Sequence, residues 1–430
     1  MSKYIIKGGN RICGEVKISG AKNATLGVLA ASIMTDEDVY ISNIPDVWDI
    51  NIMLESIVDL GAKVSRIDRN TVIINAKNAN KTELADSVLG RMRATYYFVG
   101  ALLGKHKKAK VVLPGGCDLG NRPIDLHLKG FNALGATAYE ENGYIIAEAK
   151  ELVGSNIFLD LVSVGATINI MIASVLAEGQ TVIDNAAKEP HVVDIALFLN
   201  SMGANIKGAG TDTIKIKGVK KLHGTNYSII PDQIEAGTYM ALAAISKGDI
   251  TIKNVIPKHL ESISAKLIDM GNQVITYDEA VRVIGSDKQL ATNVKTLPYP
   301  GFPTDMQPQI VCALATANGR STVIESIFDN RFKYVEQLKK MGVKIEVNNN
   351  TVIIDGVEKL KSSELVAPDL RAGAALVISA LSAEGISIID NVEYIERGYE
   401  DLINKVKDLG GNIKKVEYQN EIETFIKENE

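Results

Sequence analysis

The chain has 430 residues, 46% hydrophobic and 23% charged, with a formal net charge of −5, more than one core usually supports, so about two domains are expected. The slightly acidic balance without a long basic run argues against nucleic acid as a partner, and no apolar run approaches the ~18 residues of a membrane span. Three cysteines, at 13, 117 and 312, suggest neither a disulfide framework nor a zinc site, and with no charged-then-apolar leader the expected setting is cytoplasmic.

Met1 to Gly20 alternates like strand and falls outside the repeating part of the chain. From there a Leu-Gly or Met-Gly pair closes an apolar-periodic segment six times, at Gly61, Gly135, Gly203, Gly271, Gly342 and Gly410, at intervals of 74, 68, 68, 71 and 68 residues. Glycine just past a last helical turn is the expected C-terminal cap, since it tolerates a left-handed backbone. After each glycine come two short alternating runs, such as Lys344 to Val347 and Thr351 to Asp355, which read as a hairpin. A helix follows (Ala372 to Ala383 in the last copy), then a strand (Ile386 to Ile389), then a second helix running to the next glycine.

The repeat is therefore βαβαββ, and six copies make the chain. The expected fold is α/β, with two lobes of three repeats each. Residues 21–229 form lobe one, with the third repeat ending near Tyr227 and Ser228 to Asp232 as a linker. Residues 1–20 and 230–430 form lobe two, with the N-terminal strand pairing there.

The first helix of each repeat has a recognisable start. In lobe one these starts present Lys22, Arg93 and the run Ser163, Val164, Gly165; in lobe two they present Asp232, Asp305 and Asp369. Aspartate at a helix start most often caps it. Lys22 and Arg93 do not fit that reading, because a cation in the first turn opposes the helix dipole and calls for an anionic partner.

The loops after the central strands read NIPDVWDI, PGGCDLGNRPIDLH, NAAKEPHVVDI, NVIPKHLESI, SIFDNRFKYV and NVEYIERGYEDL. Only the second is glycine-rich and carries a thiol, and such a departure in one copy suggests a local job. Cys117 lies there without a helical or strand period to bury it, so it is a candidate acid or nucleophile. Cys13 and Cys312, inside apolar patterns, read as buried small hydrophobes.

Neither GxxxxGK[ST], a GxGxxG context, HExxH nor GxSxG occurs. His127 reads as a structural or substrate-positioning donor rather than a metal ligand. Arg331, Arg371 and Arg397 each lie near a loop or helix start of lobe two. Solvated surface arginine is the plain alternative for them, although the planar guanidinium fork suits phosphate and carboxylate.

Seven motifs, GAKNA at 20–24, LPGGCDLGNRPIDLH at 113–127, VSVGAT at 162–167, PTDMQPQ at 303–309, ESIFDNRF at 325–332, PDLRAG at 368–373 and YIERGYEDL at 394–402, closely resemble the bacterial UDP-N-acetylglucosamine enolpyruvyl transferases. The likeness runs over essentially the whole chain. It implies two inside-out α/β lobes of threefold pseudosymmetry closing over substrate, and transfer of the enolpyruvyl group of phosphoenolpyruvate to UDP-N-acetylglucosamine without metal or organic cofactor.

Position by position, the resemblance implies that Lys22, Arg122 and Arg397 hold phosphoenolpyruvate, that Cys117 donates the proton, that Asp305 is the base and that Asp369 is a second carboxylate near the reacting centre. Asn23, Arg93, Pro123, Ile124, Asp125, Leu126, Ser163, Val164, Gly165 and Ile327 match contacts to the nucleotide sugar, and His127, Arg331 and Arg371 are placed with them as substrate-binding residues. Leu161 and Tyr97 stand where some members carry lysine and tryptophan. A sister enzyme acting on shikimate 3-phosphate and a non-catalytic sugar-nucleotide binder are the competing readings; the cysteine loop does not fit the first.

Overall fold

A computed structural model describes residues 2–85, 93–113 and 124–429, with the backbone alone for Arg93 and Ala94. These residues divide into two compact units: a first lobe of 20–85, 93–113 and 124–230, and a second lobe of 2–19 and 231–429. Among the described residues no helix is long and apolar enough to cross a membrane.

Each lobe is built from three four-stranded sheets of one plan. In the third repeat the leading strand Asn156–Phe158 runs parallel to the central strand Gln180–Asp184. The central strand pairs antiparallel with Thr213–Lys217, whose hairpin partner Asn205–Lys207 forms the far edge. One helix crosses from leading to central strand and a second joins the central strand to the hairpin, which is the βαβαββ order read from the sequence.

Three repeats are completed from far along the chain. Thr225–Ser228 does not end the third repeat, as the sequence pattern suggests; it pairs parallel with Val39 to Ser42 and is the leading strand of the first repeat. Likewise Cys13–Lys17 leads the fourth repeat beside Asp249–Lys253. Lys3–Gly8 fills the third position of the sixth sheet, between Gly385–Asp390 and Asn412–Val416. Each borrowed strand satisfies backbone groups that a linear cut between repeats would leave open.

Cys13 corrects the buried-hydrophobe reading. It is exposed, because Cys13–Lys17 is an edge strand that turns only Val16 into the core. Cys312 is fully buried, and burial pushes its thiol up to about 12.

The helices that follow the leading strands form the core of each lobe. In the second lobe Gln233–Ile245, Gln307–Leu314 and Leu370–Ser382 pack on one another, and almost every residue of the three is buried. In the first lobe Tyr97–His106 packs against both Lys22–Ser32 and Val164–Ser174. Segments such as TLGVLAAS and ATINIMIAS are apolar nearly all round, as a helix surrounded by protein requires. The second helices, such as Trp48–Asp59, bury one side only. Helices thus lie inside and sheets outside. The six repeat glycines all have positive φ, from 85° to 101°, which makes them the left-handed caps that end the second helices.

Candidate active site

Cys117, Arg122 and Pro123 lie outside the described residues, as does the Arg93 side chain. The remaining candidates fall into groups that each lobe builds separately.

In the first lobe, Lys22 opens a helix whose N-cap, Ala21, offers no side-chain acceptor. Its Nζ lies 2.6 Å from Oδ2 of Asp49, and the two side chains are 10% and 3% exposed. Asp49, the second residue of Trp48–Asp59, therefore supplies an anion to the out-of-place cation. The sequence reading missed it, although the residue stands in the NIPDVWDI loop. Asn23, beside Lys22, is half-buried.

His127 lies on the helix Asp125–Ala133 and is buried. Its Nδ1 is 3.1 Å from Nδ2 of Asn169. The same amide donates to the Tyr96 carbonyl at 2.8 Å, while its Oδ1 accepts from the Gly100 amide at 2.8 Å. With the oxygen occupied by a donor, Nδ2 must donate to the ring, so Nδ1 accepts and the imidazole proton sits on Nε2. Burial pushes the imidazole down to about 4, which keeps it neutral near pH 7.

The proton-bearing edge of His127 faces the start of the helix Val164–Ser174. A Cβ added at Gly165 would lie 3.1 Å from His127 Nε2 and 2.9 Å from the Tyr96 hydroxyl, so only glycine leaves that corner open. The Tyr96 and His127 rings meet edge to face at 4.9 Å. Ser163 caps the helix, accepting from the Ala166 amide at 3.2 Å, and Val164 is half-buried beside it. Asp125 is exposed, Ile124 and Leu126 pack against the lobe core, Leu161 is exposed and Tyr97 is buried. Asn169 and Tyr96 were not singled out from sequence; a lone asparagine within INIMIAS was the available signal.

In the second lobe the three aspartates at helix starts separate. Asp232 caps its helix through the Ile234 and Glu235 amides, at 2.7 and 3.0 Å. Asp369 does the same through the Arg371 and Ala372 amides, at 2.9 and 3.0 Å. Asp305 instead lies in a single 3-10 turn, Thr304–Met306, ahead of Gln307–Leu314. It accepts from Arg331 Nη2 at 3.1 Å and from Arg371 Nε at 3.2 Å.

The surface reading of those two arginines is corrected here: Arg331 is 2% and Arg371 4% exposed. Burial pulls the Arg371 guanidinium down, but Asp305 and Tyr399 outweigh it and hold the group in its charged form. The Arg371 guanidinium carbon also lies 5.6 Å over the Tyr399 ring, whose hydroxyl is anchored by Thr238 at 2.9 Å and Gln309 at 3.2 Å. The cations thus serve a carboxylate of the protein itself. Arg397 is half-buried at the end of the short helix Glu393–Glu396, and Ile327 is exposed.

A family model described as EPSP synthase (3-phosphoshikimate 1-carboxyvinyltransferase) matches residues 6–406. The chain is 55% identical over 416 residues to UDP-N-acetylglucosamine 1-carboxyvinyltransferase 2 of Clostridium acetobutylicum, covering 96% of this chain and 99% of that one. It is 54% identical over 414 residues to UDP-N-acetylglucosamine 1-carboxyvinyltransferase of Clostridium botulinum, covering 96% and 99%. Among solved structures, the enolpyruvyl transferase NikO from Streptomyces tendae superposes with a TM-score of 0.87 at 24% identity, over 96% of this chain and 99% of that one. EPSP synthase from Acinetobacter baumannii superposes with a TM-score of 0.75 at 18% identity, over 97% and 100%. The two structures share the fold; identity of about half the sequence is found with the relatives named for UDP-N-acetylglucosamine.

Proposed function

The chain belongs to the EPSP synthase/enolpyruvyl transferase family, and we propose the division of labour among its residues set out below. The reaction moves the enolpyruvyl group of phosphoenolpyruvate onto the 3-hydroxyl of UDP-N-acetylglucosamine and releases phosphate, a step of peptidoglycan synthesis. Adding an alcohol across an enol double bond requires a proton at one carbon and removal of a proton from the attacking oxygen.

Cys117 is assigned as the acid. Its thiol proton goes to the methylene carbon of phosphoenolpyruvate while the acceptor oxygen bonds to the adjacent carbon. Asp305 is assigned as the base that takes the hydroxyl proton. Loss of a methyl proton and of phosphate then restores the double bond. Lys22, Arg122 and Arg397 are assigned to the phosphate and carboxylate of phosphoenolpyruvate, and Asp369 to a carboxylate near the reacting centre with its Oδ1 engaged in capping. Arg331 and Arg371 hold Asp305.

The nucleotide sugar is assigned to Asn23, Arg93, residues 123–127, residues 163–165 and Ile327, with neutral His127 donating from Nε2. The setting is cytoplasmic, and the net charge of −5 leaves nucleic acid no evident role. The observation that carries the assignment is Asp305, whose carboxylate is held by two arginines within 3.2 Å instead of being spent on a helix cap.

Phosphate release from phosphoenolpyruvate, measured with UDP-N-acetylglucosamine and with shikimate 3-phosphate in parallel, tests the reading. Release is expected with the first acceptor. Release with shikimate 3-phosphate alone would overturn it.

A further inference from the structure

We infer that Glu325 is a positioning residue for this reaction, fixing Asp305 and Ile327 together from beneath. The inference rests on the reading of Asp305 as the base.

In four of the six repeats the residue just past the central strand is an asparagine in left-handed conformation: Asn43, Asn185, Asn254 and Asn391, with φ of 57° to 59°. Three of these staple the end of the leading strand by donating Nδ2 to a backbone carbonyl, Asn43 to Ile229 at 2.7 Å, Asn185 to Leu159 at 2.8 Å and Asn254 to Ile18 at 2.7 Å. The fifth repeat breaks the pattern. Its central strand Arg320–Ile324 is followed by Glu325, which keeps ordinary negative φ.

Glu325 still meets the end of the leading strand, now as an acceptor: Thr296 Oγ1 donates to its Oε1 at 2.8 Å. Exchange of an amide for a carboxylate is unnecessary for stapling, and burying a carboxylate is costly unless its oxygens are well satisfied. Glu325 is 2% exposed. Its remaining acceptor capacity goes toward the site. Thr304 Oγ1 donates to Oε2 at 2.9 Å, and the amides of Ile327 and Phe328 donate to Oε1 at 2.8 and 3.3 Å.

Thr304 precedes Asp305 in the chain. Phe328 lies under the Arg331 guanidinium, 5.5 Å from ring centre to Cζ, and Arg331 donates to Asp305. The contacts therefore close a ring, Glu325 to Thr304 to Asp305 to Arg331 to Phe328 and back. One buried carboxylate thereby fixes the base from its backbone side, the arginine that holds it, and the Ile327 backbone assigned to the nucleotide sugar. Supporting hydrogen bonds of this kind confine a reactive group to its productive geometry, where displacement by ~1 Å is enough to lower a rate about 100-fold.

Thr304→Val removes one hydroxyl without changing the shape of the side chain, and Glu325→Gln replaces an acceptor by a donor. Kinetics of both, per folded molecule, are compared with Asp305→Ala in the full-length protein. Positioning predicts that Thr304→Val lowers kcat per folded molecule roughly 10-fold or more while the KM for phosphoenolpyruvate stays near wild type, with some loss of melting temperature as buried Glu325 Oε2 loses a donor. Glu325→Gln is expected to lower kcat further and to raise the KM for UDP-N-acetylglucosamine but not that for phosphoenolpyruvate. Wild-type kcat in both variants beside an inactive Asp305→Ala overturns the positioning role. Loss of melting temperature with kcat per folded molecule unchanged overturns it equally, leaving Glu325 a structural staple. Wild-type kcat in Asp305→Ala removes the reading of Asp305 as base, and the positioning role with it.

Discussion

Asp305 and Arg331 are joined by a hydrogen bond of 3.1 Å in which the arginine side chain is 1% and the carboxylate 28% exposed. The arginine is fixed by burial while the carboxylate stays partly exposed, an arrangement suited to holding a group that must still meet substrate. Asp305→Ala is expected to bind both substrates, seen by calorimetry, yet to turn over ~100-fold or more slowly, as loss of a general base does. Undiminished kcat would remove the residue from the chemistry.

Cys117→Ser is expected to slow turnover greatly and to abolish alkylation by an epoxide phosphonate such as fosfomycin, because the hydroxyl is a poorer acid and nucleophile than the thiol. Cys117→Asp is expected to retain turnover while losing the label, since a carboxylic acid also delivers a proton. Mass spectrometry of each protein after incubation with the reagent reads the result directly. Full labelling of Cys117→Ser would move the reactive thiol elsewhere.

The Lys22–Asp49 pair is buried, with Nζ and Oδ2 at 2.6 Å. Asp49→Asn removes the charge opposite a desolvated ammonium and is expected to destabilise the protein by roughly 3 kcal/mol in denaturant titrations. The double variant Lys22→Met with Asp49→Leu is expected to recover much of that stability, because neither charge is then desolvated. It is expected to stay inactive if Lys22 serves phosphoenolpyruvate. A stable, active double variant would reduce Lys22 to half of a structural pair.

His127 makes stability fall in acid. Burial lowers its imidazole from the ordinary 6.5 to about 4, so below pH 6.5 the unfolded chain takes up a proton that the folded one refuses. The contribution is complete above pH 6.5 and is lost as pH falls toward 4, by about 3 kcal/mol at the limit. Asp194, which burial pushes up to about 6, acts in the opposite direction across part of the same window. The difference between wild type and His127→Asn therefore isolates the imidazole. His127→Asn is expected to gain stability relative to wild type as pH drops from 6.5 to 4, and a flat difference would contradict the neutral, buried assignment.

Much of the scaffold was legible because its signals are local. A glycine that must take positive φ after a last helical turn leaves the same mark in all six repeats, and the hairpin at 344 to 355 is written in adjacent residues. The three helix-start aspartates show the opposite case. In sequence Asp232, Asp305 and Asp369 look alike; two satisfy amides of their own first turn, while the third meets Arg331 and Arg371, 26 and 66 residues away. Glu325, Asn169 and Asp49 went unnoticed for the same reason: what each does depends on which distant segment folds beside it.

The sequence alone determined the repeat, its βαβαββ order, the fully apolar inner helices and the enolpyruvyl transferase motifs, since backbone preference and hydrophobic period act over a few residues. Only the tertiary structure decided which strand completes each sheet, with 225–228 beside 39–42 and 3–8 between the last two strands of the sixth repeat. Strand pairing uses backbone groups that every residue carries, so alternation announces a strand without naming its partner. It likewise decided that Arg331 and Arg371 are buried against Asp305, because a guanidinium reads the same in sequence whether water or a carboxylate faces it.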